Sequence, residues 1–144
     1  MNLEPFTNRP AQRGFTVIDL LIAIAIVAIL VRIALPAYQG YIIRSSRQAA
    51  QSELVALATA QEKIFLNSNA YTADVSSAYS GQSSGGLGVT SGKTKDSRYT
   101  LSVQAPTATT FIITATPVSG TPQASDGNLT INEQNVRTWG SKSW

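Results

Sequence analysis

Gly14-Phe15-Thr16-Val17-Ile18-Asp19-Leu20-Leu21 is the stretch on which the reading of this chain turns. A polar leader ends in a single glycine, a hydrophobic helix begins at once, and one carboxylate, Asp19, lies inside that helix. A charge near the middle of a membrane-spanning helix costs about 2.5–3.5 kcal/mol on insertion scales, so Asp19 needs a partner or a polar depth.

Outward on the N-terminal side, residues 1–14 are polar, with two prolines and with Arg9 and Arg13 against Glu4. A secretory signal is cut after its apolar run, and no small-residue site ends the run here. The two arginines predict a cytoplasmic N-terminus and a C-terminus on the far side of the membrane.

Outward on the other side, only Thr16, Asp19 and Arg32 are polar between Phe15 and Leu35. A bilayer span takes about 20 apolar residues, and this run supplies them. Residues 15–36 are therefore a hydrophobic span, or the helix of a filament core. Pro36 lacks an N–H and predicts a kink. From residue 37 to 67 the pattern becomes one-sided. Ile43, Ala50, Leu54, Leu57, Ala58, Gln61 and Phe65 form one stripe, and Arg44 and Arg47 read as a juxtamembrane or solvated basic pair.

Residues 68–98 are rich in Ser, Gly, Ala and Thr and read as a long loop, with Ser80–Gly88 as a flexible stretch. Alternation then predicts strands around Tyr99–Val103, Phe111–Ala115, Leu129–Ile131 and Val136–Trp139, with Asn132–Asn135 as a turn. The fold class is α+β: a long N-terminal helix, half apolar and half amphipathic, packed on an antiparallel sheet of about four strands in residues 99–144.

Composition limits the chemistry. The chain has 144 residues, 13% of them charged, with eight carboxylates, no histidine and no cysteine. No disulfide forms, no thiolate or imidazole metal site is available, and no nucleophile–base pair or phosphate loop is present. A structural protein without cofactor or metal is expected, not an enzyme. Lys93, Lys95 and Arg98 cluster beside Tyr99 and form a tentative nucleic-acid contact, weighed against an ordinary solvated loop.

Arg-Gly-Phe-Thr-Val-Ile-Asp-Leu-Leu-Ile, with a proline 21 residues after the phenylalanine, resembles the N-terminus of type IV pilins and minor pilins. Phe111–Pro117, Asp126–Ile131, Val136–Trp139 and the final Trp144 resemble, more weakly, the C-terminal part of minor pilins related to the PilE group. The resemblance implies the pilin fold. It also implies removal of residues 1–14 by a membrane prepilin peptidase cutting between Gly14 and Phe15, and N-methylation of Phe15. Asp19 would meet the freed Phe15 amine of a neighbouring subunit during assembly, where the family usually has the longer glutamate. Residues 68–98 would be the αβ-loop of the filament surface. Family members usually staple the last loop with two cysteines; here Ser125 or Asp126 and Ser143 stand near those places.

The function implied is a structural subunit of a type IV pilus serving adhesion, twitching motility or DNA uptake. The partners implied are other pilins, the peptidase, an inner-membrane assembly platform, and a host surface or DNA. The subunit would reside in the inner membrane with a periplasmic C-terminus, then in the extracellular filament. The alternatives are a type II secretion pseudopilin, a DNA-binding minor pilin for natural transformation, and an anchored domain that never polymerises.

Overall fold

The computed structural model describes residues 14–144. The leader, with its Arg9 and Arg13, lies outside the described residues apart from Gly14. The chain divides into two compact units, Met1–Tyr38 and Gln39–Trp144. One helix, α1 (Val17–Ser68), contributes to both.

In the first unit the helix begins at Val17 and continues through Pro36. An 18-residue window of α1 reaches a mean hydropathy of 2.8, so the helix is apolar enough to cross a membrane. Every residue from Gly14 to Tyr38 is exposed, including Phe15 at 82% and Ile33 at 70%. Apolar surface of this extent marks contact with lipid or with other chains.

In the second unit the rest of α1 packs on a five-stranded antiparallel sheet in simple meander order. The strands are β1 (Tyr99–Thr107), β2 (Thr110–Pro117), β3 (Leu129–Asn132), β4 (Arg137–Trp139) and β5 (Lys142–Ser143). The four expected strands are present. The two-residue β5, which pairs Lys142 with Trp139, adds a short edge that alternation is too brief to reveal.

Register sets the two faces of the sheet. Leu101, Ala115, Leu129 and Trp139 lie in one row across β1 to β4; Val103, Ile113, Ile131 and Arg137 lie in the next. The apolar members of these rows meet α1 through Ala50, Leu54, Leu57 and Ile64. Burying each large aliphatic or aromatic side chain of this core contributes about 1.5–3 kcal/mol. The opposite face carries Thr100, Ser102, Thr114, Thr116, Thr130 and Thr138, the even positions that solvent tolerates.

The predicted stripe is correct at Ala50, Leu54, Leu57 and Gln61, whereas Ile43, Ala58 and Phe65 are half-buried and Ile64 takes a core place. Gln61 is fully buried and behaves as a strand would. Its Nε2 donates to the Thr72 carbonyl at 2.7 Å, and its Oε1 accepts the Thr72 N–H at 3.0 Å. This pairing fastens the start of the connecting loop to the helix.

The loop is knitted rather than open, which corrects the composition-based reading of Ser80–Gly88. The Asp74 carboxylate accepts the N–H groups of Ser76 and Ser77 at 2.8 and 3.0 Å. Gly86 donates to Ala78, Leu87 to Asp74, Gly88 to Ser77 and Val89 to Val75. Gly86 is buried where two backbones approach: a Cβ there would lie 2.3 Å from the Ser77 carbonyl oxygen. The expected result of Gly86→Ala is a loss of about 1–3 kcal/mol, the usual cost of overpacking. A urea-unfolding midpoint unchanged from wild type would count against this packing.

Candidate functional site

Three places in the chain bear on function. The first is the helix start in the N-terminal unit. Thr16 precedes Val17, and its N–H and hydroxyl both donate to Asp19 Oδ2, at 3.0 and 2.7 Å. The Asp19 N–H donates back to the Thr16 hydroxyl at 3.2 Å. This is a reciprocal capping box, in which the third helical residue and the cap satisfy each other's donors. The acid also lies at the positive end of the helix dipole. Gly14 and Phe15 precede the box and are exposed. The shorter side chain of aspartate thus has a local use, because it closes on its own helix start.

The second place lies wholly in the C-terminal unit. Arg47 occupies the end of a run spaced three and four apart: Arg47, Ala50, Leu54, Leu57, Gln61 and Ile64. Its guanidinium therefore faces the sheet rather than solvent, which corrects the solvated-pair reading for Arg47, while Arg44 is exposed. Arg47 Nε donates to both Asp126 oxygens, at 3.1 and 2.9 Å, and Nη2 donates to Oδ1. The Asp126 side chain is 3% exposed and that of Arg47 is 19% exposed.

The surroundings complete the clamp. The Tyr99 hydroxyl donates to Asp126 Oδ2 and accepts from Gln123 Nε2 at 2.7 Å. The Arg47 guanidinium carbon lies 3.5 Å from the centre of the Trp139 ring, and the indole N–H of Trp139 donates to the Asp126 carbonyl. Burial alone would raise the Asp126 pKa, but hydrogen bonds from Arg47 and Tyr99 and the Arg47 charge outweigh it and hold the carboxyl below its ordinary range. Burial first, and then the neighbouring Asp126 carboxylate, push the Tyr99 phenol well up. The segment between β2 and β3 is thus tied to α1 by charge, near the place where the resemblance implies a covalent staple. Trp144 adds a second tie, with its indole N–H donating to the Thr138 carbonyl at 2.8 Å.

The third place is the turn before β1. Lys93 and Lys95 are exposed and Arg98 is half-exposed, so the turn does bring the predicted cluster together on one short segment. Thr94 N–H donates to the Tyr99 carbonyl at 3.0 Å, and Ser97 N–H donates to the Thr94 carbonyl at 2.8 Å. Ser97 takes a left-handed φ of 58°, which closes the turn. Among the described residues the only direct ion pair is Arg47–Asp126, so none of the three cations is held in one.

Residues 36–130, well over half of the chain, match the family described as type IV minor pilin ComP, DNA uptake sequence receptor. The chain belongs to this type IV minor pilin family. Residues 9–34 match the prokaryotic N-terminal methylation motif. Over 56 residues the chain is 50% identical to a fimbrial protein of Pseudomonas aeruginosa, covering 39% of this chain and 36% of that one. Over 50 residues it is 56% identical to the type IV major alpha-pilin of Moraxella bovis, covering 35% of this chain and 31% of that one. The match thus spans about a third of these relatives. A solved type IV pilin from Shewanella oneidensis shares the fold, with a TM-score of 0.50 and 24% identity over 71% of this chain and 97% of that one. The expected α+β pilin architecture is the observed one.

Proposed function

We propose that this pilin is a structural subunit of a type IV pilus, assembled through its N-terminal helix after cleavage between Gly14 and Phe15 and N-methylation of Phe15. The observation that carries the reading is the uncovered apolar helix directly behind a prepilin motif: residues 14–38 are exposed throughout, and lateral packing would bury them. Before assembly the same surface suits the inner membrane, with the second unit on the periplasmic side. On assembly Asp19 leaves the membrane for a packed helical core, and the freed amine of Phe15 is the positive group that cleavage creates beside it. A buried charge is tolerated when it is paired, so cleavage would license assembly. Processing by a prepilin peptidase and docking on an inner-membrane platform belong to this proposal.

A second reading, reception of DNA during uptake, is favoured by one observation. The matched family is described as a DNA uptake sequence receptor, and the matched residues include the cationic turn of Lys93, Lys95 and Arg98. Phosphate neutralisation by such cations gives binding that falls with salt. The two readings are compatible, since a minor pilin can act from within the filament. Nothing observed favours the secretion-pseudopilin alternative over them.

The test uses filaments sheared from cells producing this chain. Electron microscopy with antibody labelling is expected to find the subunit in the filaments, and mass spectrometry to find a chain beginning at N-methyl-Phe15. A full-length precursor that remains in the membrane fraction with no labelled filaments would overturn the pilus reading. For the second reading, the combined Lys93→Ala, Lys95→Ala and Arg98→Ala variant is expected to lose most duplex retention at low salt; unchanged retention would reject that site.

A further inference from the structure

The cationic turn is organised around a carboxylate. Asp96 Oδ1 accepts the Thr94 hydroxyl at 2.7 Å and the Arg98 N–H at 3.1 Å. Thr94 is 2% exposed, and its hydroxyl in turn accepts the Tyr99 N–H at 3.1 Å. The turn is fixed to its surroundings on three sides. Lys95 N–H donates to Glu53 Oε1 on α1 at 3.1 Å. Val118 N–H donates to the Arg98 carbonyl at 2.9 Å, and Leu101 N–H donates to the Gly92 carbonyl at 2.8 Å.

This arrangement costs attraction for an anion. Asp96 puts a negative charge among Lys93, Lys95 and Arg98, and Glu53 puts another beside the Lys95 backbone. A turn meant only to be cationic would do better with a neutral acceptor. An ordered turn, by contrast, holds its side chains at fixed spacing and spares the entropy of ordering them on binding. Burial acts to raise the Asp96 pKa, but hydrogen bonds from the Thr94 hydroxyl and the Arg98 amide hold it below the ordinary carboxylate range. Asp96 is therefore an acceptor, and never a donor, at neutral pH.

We infer that Asp96 is the positioning residue of a phosphate-binding turn: it fixes the spacing of Lys93, Lys95 and Arg98 through Thr94 and the Arg98 amide, and it moderates their attraction for the DNA backbone. This rests on the DNA reading of the same turn. Glu53 anchors the turn to α1 and sets its orientation on the second unit.

Two substitutions that remove the same charge separate shape from charge. Asp96→Asn keeps an oxygen acceptor at the same reach; Asp96→Ala removes it. The experiment measures binding of a short labelled DNA duplex to the full chain in detergent at low salt. Amide hydrogen exchange at Arg98 and Tyr99 reports the order of the turn independently of DNA. Asp96→Asn is expected to bind about two- to threefold tighter than wild type, the size of one unit charge at ~8 Å in water. Asp96→Ala is expected to bind more weakly than Asp96→Asn, with faster exchange at Arg98 and Tyr99.

Equal binding and equal exchange in the two variants would overturn the positioning role. Asp96→Asn no tighter than wild type would overturn the moderating one. If wild type and the triple alanine variant hold the duplex equally poorly, the DNA reading itself fails and the role falls with it. If the triple variant loses the duplex while both Asp96 variants match wild type, the DNA reading stands and only this inference is lost.

Discussion

Asp126→Asn will unfold the C-terminal unit at a markedly lower denaturant concentration than wild type. The substitution leaves Arg47 charged, mostly buried and facing an amide that can donate into it. It also leaves one side-chain oxygen where Arg47 and the Tyr99 hydroxyl together use two. Removing one member of a buried ion pair costs about 3–5 kcal/mol, and the partial exposure of Arg47 places this case near the lower end. Urea unfolding followed by tryptophan fluorescence reads it directly, because Trp139 stacks on Arg47. The double variant Arg47→Met with Asp126→Leu removes both charges together and is expected to recover much of the loss. A single Asp126→Asn variant as stable as wild type would show that the clamp contributes nothing.

The same carboxylate predicts an acid dependence. Its pKa is lower folded than unfolded, so the unfolded chain binds the proton more readily as pH falls. The contribution is fully present above the unfolded value of about 3.9 and is lost as pH drops through the lower folded value. The wild-type stability curve should fall across that acid window. In Asp126→Asn this component of the slope should be missing; equal slopes would contradict the assignment.

At the other end of the chain, Asp19 separates two roles that alanine alone confuses. Asp19→Asn keeps an acceptor for the Thr16 N–H and hydroxyl and removes only the charge. Asp19→Ala removes both, at a capping cost of about 1 kcal/mol in the helix start. If the carboxylate balances the freed Phe15 amine in the filament, both variants leave a buried cation unpaired. A loss of several kcal/mol per subunit contact follows, enough to cut filament yield at least ~10-fold. Asp19→Glu is expected to assemble. Normal filaments from Asp19→Asn would end the counter-charge idea and leave capping as the sole role.

The helix and the sheet were legible because their periodicities come from local burial. Ala50, Leu54, Leu57 and Gln61 announce themselves three and four apart, and Phe111, Ile113 and Ala115 announce themselves two apart. Continuing the first spacing back to Arg47 is the signal that would have found the clamp, because a charge at a stripe position must meet a partner. Its partner was not legible: Asp126 lies 79 residues away, in a segment without periodicity. The order of the loop was hidden for a similar reason. Ser and Gly read as flexible by composition, while the bonds of Ser76 and Ser77 to Asp74 and of Gly85 to Thr72 depend on the folded backbone. Clustering of Lys93, Lys95 and Arg98 was readable, whereas the acceptor role of Asp96 between them depends on the folded turn and has no sequence signal.

The Arg47–Asp126 clamp also frees this pilin from redox chemistry. A covalent staple would require an oxidant and a thiol-exchange catalyst during export, and would be lost to reductants. An ion pair backed by Tyr99 and Trp139 forms as soon as the chain folds, in aerobic or anoxic surroundings alike. The vulnerability moves instead to protonation of one carboxylate.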